Sequence, residues 1–153
     1  MTKYISILFF LLPVMASSQE YIGKTRELVK KELQAWKQNN KPLSPVIAEQ
    51  GTTTTLSFRD PGYGQVRIVY TYDKDKVCIS EKTVAINDSA RTNYLNNILE
   101  KNSYEWVKLN GNQYISKFSE KLMIEIPGDP KNHSVTVYRA EWTPEIYEML
   151  LKK

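Results

Sequence analysis

The chain has one cysteine, Cys78, and one histidine, His133. A lone cysteine cannot close an intrachain disulfide, so the fold has no covalent staple. One imidazole and one thiol, 55 positions apart, do not make a clustered zinc-ligand set. Glycines are few, at 23, 51, 62, 64, 111 and 128. They form no phosphate cradle of the GxxxxGK[ST] kind and no GxSxG nucleophile elbow. Neither sign of charge dominates: 21 basic and 17 acidic side chains leave a net +4. They are interspersed, and no groove-reading motif for nucleic acid occurs. The only pronounced apolar run, Tyr4 to Leu12, falls short of the ~20 residues a bilayer span needs.

That short run has another use. Lys3 precedes it, Pro13 breaks it, and Ala16-Ser17-Ser18 offers the small residues a signal peptidase reads. Residues 1–18 are expected to be a cleaved signal peptide, with the mature chain starting at Gln19. Residues 19–153 are then one domain, secreted or periplasmic, of a size that can bury a real core. No lipidated cysteine follows the apolar run, and no transmembrane segment is expected after cleavage.

What remains reads as alternating periods. Residues 20–38 repeat Ile22, Val29, Leu33 and Trp36 on one helical face, and Pro42 ends the pattern. The period then drops to two. Residues 45–50, 52–59, 65–72 and 76–81 read as short strands joined by the turns 60–64 and 73–76. Asn87 or Asp88 can cap a helix over 89–102. Strands follow again at 104–109, 112–118, 120–126 and 133–142. Asn110-Gly111 predicts a two-residue hairpin turn with positive φ at both positions. Thr143-Pro144-Glu145 opens a last helix. The expected class is α+β: an antiparallel sheet of about six to eight strands in two meanders, order α-β(3-4)-α-β(4)-α, with helices mainly on one face. The halves share topology but no residue-level identity.

Catalytic candidates are sparse. A Ser–His–acid hydrolase must use His133. A carboxylate-pair glycosidase could draw on Glu81, Glu105, Glu120 and Glu125, and would act on cell-wall or polysaccharide material. Cys78 lies in the strand-like run 77–79 and lacks a nearby base, which fits a small buried residue better than a thiolate. Asp73 and Asp75 alternate with Lys74 and Lys76, which suits a turn and not a calcium loop. No catalytic set, metal site or cofactor is assigned.

Aromatics carry the positive signal. Without Tyr4, Phe9 and Phe10 the mature chain keeps nine Tyr and three Trp against two Phe. Tyr and Trp join an apolar body to a polar tip and suit recognition surfaces. In strand 65–72, Arg67 falls on the face opposite Tyr70 and Tyr72. The Tyr row is expected to reach the sheet's end beside the 60–64 loop. Tyr63, Arg67 and Tyr72 are therefore the candidate binding residues at the rim of a recognition surface. The layout of signal peptide plus small α+β domain resembles small envelope proteins of Gram-negative bacteria. The expected function is an exported, non-enzymatic binding domain for a protein, peptide or glycan of the envelope.

Overall fold

A strap, not a helix, begins the described chain; the computed structural model covers residues 20–152. The expected leader and its cleavage point lie outside the described residues. Gly23 takes φ +90°, which is incompatible with the helix expected from residue 20. The segment instead runs antiparallel to the start of the fourth strand. Gly23 N donates to Cys78 O at 2.8 Å, and Cys78 N donates to Lys24 O at 2.9 Å. Thr25 then caps helix α1 (Arg26–Asn39), its hydroxyl accepting from Leu28 N. Val29 and Leu33 face the sheet, and Trp36 packs on Phe58 with ring centroids 5.2 Å apart.

Four strands follow: β1 (Val46–Gln50), β2 (Thr53–Asp60), β3 (Gly64–Tyr72) and β4 (Cys78–Val84). The 73–76 turn is held by Asp73, whose Oδ1 accepts from the backbone N–H of Asp75 and Val77, each at 2.9 Å. Asn87 caps α2 (Asp88–Leu99), accepting from Ala90 N at 2.9 Å. The second meander is β5 (Val107–Lys108), β6 (Gln113–Ile115), β7 (Leu122–Glu125) and β8 (Ser134–Arg139). Its strands are shorter than their sequence runs. Glu105 at φ +49° and Lys121 at φ +50° interrupt extended backbone just before β5 and β7. The 109–112 hairpin also differs from expectation, since Gly111 is not among the positive-φ residues. The loop is four residues long, not two. Leu109 N donates to Gln113 O, and Asn112 N donates to the Asn110 side chain at 2.8 Å. An Asx turn replaces the type I′ turn.

All eight strands join one antiparallel sheet in the order β1-β2-β3-β4-β8-β7-β6-β5. The order is a palindrome of two four-strand meanders, each preceded by its helix. The meanders meet where β4 pairs with β8. Helices α1 and α2 lie on the same face, and their cores take in Leu56, Phe58, Val66, Ile68 and Tyr70 in the first half and Ile124, Val135 and Val137 in the second. Ile22 of the strap touches both cores and bridges the seam. The third helix, α3 (Pro144–Leu151), is capped by Thr143 and goes to the other face. Tyr147 and Leu150 pack there with Ile115, Ala140 and Trp142. No described helix is long and apolar enough to cross a membrane.

Candidate interaction face

The pleat sends alternate residues of every strand to opposite faces. In β1–β4 this sorts charge completely. The three acids, Glu49, Asp60 and Glu81, share the helix-covered face with Leu56 and Ile68; the three bases, Arg59, Arg67 and Lys82, take the other face. Glu49 is answered there by Arg26 and Lys30 of α1, with Lys30 Nζ at 3.0 Å, and Asp60 accepts from the Tyr94 hydroxyl of α2. The three bases have no carboxylate partner among the described residues.

Register places those bases in line. Arg59 pairs with Gln65, Ser57 with Arg67, Arg67 with Val84, and Val69 with Lys82. Arg59, Arg67 and Lys82 are therefore diagonal neighbours across three strands, about 7–8 Å apart between successive α-carbons. Thr53, Thr55, Ser57 and Thr71 supply hydroxyls around them, and Val46, Val69 and Val84 supply apolar ground. Among the described residues no helix packs on this half of the face; α3 covers the corresponding half of the second meander. A broad, basic, hydroxyl-rich strand surface results, suited to a negatively charged partner.

The three sequence candidates do not converge. Arg67 is exposed in the middle of the open face. Tyr72 is on the opposite face, 3% exposed under α1, with the Arg26 guanidinium 5.4 Å over its ring. Tyr63 precedes the first residue of β3, and Tyr72 is the last. About 30 Å of extended chain separates them. Tyr63 packs instead against Tyr94 of α2, ring centroids 5.6 Å apart. Tyr72 therefore cannot reach the 60–64 loop. The bases Arg59 and Lys82, which sequence reading passed over, are the residues that join Arg67; their alternation with inward Phe58 and Glu81 is the signal that could have found them.

The reverse of this surface holds a second unusual group. Glu81 is 1% exposed, and neither carboxylate oxygen has a hydrogen-bond partner among the described residues. It stands between Tyr70 of β3 and Val137 of β8. Burial pushes its carboxyl well above the usual carboxylate range, opposed by the positive charge of Lys101. Burial in turn lowers Lys101. Cys78, fully buried nearby, has its thiol pushed up to about 12 by burial, which disfavours the thiolate.

The other catalytic candidates are dispersed. Glu125 pairs in register with Gln113 and Thr136 on the face opposite Glu81. Glu105 is exposed and bound to Lys117 at 3.2 Å, and Glu120 is exposed in the loop before β7. Glu81 and Glu125, on opposite faces, cannot form the facing carboxylate pair that glycoside hydrolysis requires. His133 Nδ1 lies 2.9 Å from Asp88 Oδ1, an oxygen that is also ion-paired with Arg91 at 3.1 Å. Ser134 beside it donates to Asn132 instead. No group of three or more His, Cys, Asp or Glu able to hold a metal occurs among the described residues. Comparison with protein-family models, with curated proteins and with solved structures returns no match.

Proposed function

We propose that the protein is an exported, non-enzymatic interaction domain that holds a negatively charged partner of the cell envelope against its uncovered sheet face. The observation that carries this reading is the complete segregation of charge in β1–β4, with Arg59, Arg67 and Lys82 in a diagonal stripe on the half-face that no described helix covers. A half-face of one sign over rigid strands steers and registers an opposite charge. Export is supported by Lys3, the 4–12 apolar run and Ala16-Ser17-Ser18.

Two measurements test the reading. Mass spectrometry of protein recovered from the periplasm or medium should give an N-terminus at Gln19. The purified mature chain should bind an acidic probe such as poly-glutamate with an affinity that falls as salt rises. The double variant R67E/K82E should lose that binding while melting at an unchanged temperature. Retention of binding by the double variant would place the site elsewhere.

A further inference from the structure

The outer face of the sheet is only half covered. Helix α3 lies on the second meander, and the first meander is bare among the described residues. A bare sheet half carrying Val46 at 59% exposure calls for a layer over it. A helix can supply that layer, and the molecule displays one with a charged outward side.

Helix α3 turns Tyr147 and Leu150 to its own sheet. On a 3.6-residue period the opposite side carries Glu145, Glu148, Met149 and Lys152. Met149 is 65% exposed and Ile146, at the flank, 47%. Glu145 and Glu148 stand about one turn apart, near 5 Å along the axis. Glu148 reaches Lys152 of its own helix at only 3.8 Å, and that contact is exposed and weak. The outward side of α3 therefore presents two acids and one base, Lys152, beside the exposed Met149. The open half-face is basic with an apolar centre formed by Val69 and Val84 beside Arg67 and Lys82.

From this complementarity, and resting on the reading of the open face as an interaction surface, we propose that the acidic partner is α3 of a second copy of this chain. The arrangement closes by a two-fold axis: each α3 covers the bare half-sheet of the other copy, and both contacts form together. Such an isologous pairing uses one patch on each protomer and leaves no unsatisfied end. The two sheets then sandwich a shared middle layer of two helices, with α1 and α2 outermost on either side.

The test uses charge exchange in the full mature chain, read by sedimentation equilibrium. The parent protein should be dimeric at micromolar concentration. R67E/K82E should weaken dimerisation at least about tenfold, because like charges then face each other. E145K/E148K should do the same from the other side. Mixed together, the two variants should form a heterodimer, since acid meets base at both contacts. The single chain carrying all four substitutions should dimerise again. A parent that stays monomeric at all concentrations would overturn the proposal, as would variants that dimerise like the parent. A monomer whose poly-glutamate binding still disappears in R67E/K82E removes the dimer and keeps the interaction face; loss of both removes both readings.

Discussion

Glu81 of β4 stands directly opposite Val137 of β8, so a carboxyl without a hydrogen bond occupies the seam where the two half-sheets join. Its other neighbour is Tyr70, itself 1% exposed. An ionised carboxylate here is shielded from bulk solvent and meets no donor among the described residues, and the native state therefore prefers the protonated form.

That preference makes stability depend on pH with a defined sign. The folded carboxyl binds its proton more tightly than the unfolded one, whose pKa is ordinary. The contribution is fully present below the unfolded value, near pH 4, and is lost as pH rises toward the folded value. Chemical denaturation should accordingly show a stability component that declines from about pH 4 upward. In Glu81→Gln that component should vanish. Glu81→Leu should stabilise the protein at pH 8, by about 1–3 kcal/mol, through removal of the buried polar group. An unaltered pH profile in Glu81→Gln would mean that Glu81 is hydrated or paired in solution.

The tyrosine and the arginine of β3 should separate cleanly by readout. Tyr72→Ala empties a buried site beneath α1 and should cost at least about 2 kcal/mol in urea denaturation. Arg67→Ala, on the exposed face, should stay within about 0.5 kcal/mol. Equal losses from both would contradict the assignment of faces.

The glycines give a sharper contrast. Gly64 sits at φ +77° at the start of β3, a conformation L-residues adopt at a cost. Gly64→Ala should destabilise by about 1 kcal/mol or more. At Gly111 an added Cβ meets nothing within 4 Å, and the backbone is not left-handed. Gly111→Ala should leave the melting midpoint nearly unchanged. A loss at Gly111 as large as at Gly64 would restore the tight Asn-Gly turn to this hairpin.

Helix caps provide a local check on α2. The Asn87 side chain holds the Ala90 N–H at 2.9 Å. Asn87→Ala should cost about 1 kcal/mol, and Asn87→Asp should retain most of the stability because an acid also caps and favours the helix dipole. Loss from both substitutions would point to a contact of Asn87 other than the cap.

Much of the fold was legible. Thr143-Pro144-Glu145 and Asn87 marked helix starts because capping acts over three residues. Val66, Ile68, Tyr70 and Tyr72 showed their common face because pleating acts over two. The apolar period predicts the first helix from residue 20, and it begins at Arg26, because the apolar pattern at Ile22 is equally served by a strap between two cores. The candidate site was legible only in Arg67. Tyr63 and Tyr72 were expected to meet, but a strand of nine residues holds its ends apart.

The sequence by itself determined the elements, their order and the alternation that segregates acids from bases in β1–β4. Those are properties of neighbours along the chain, governed by hydrogen bonds and sterics that reach a few residues. Only the tertiary structure decided which face stays bare, that α3 crosses to the side opposite α1 and α2, and that Glu81 is buried in the seam. Each depends on β4 pairing with β8, residues 50 to 58 positions apart, where burial of the two half-cores outweighs the cost of one carboxyl without a described partner.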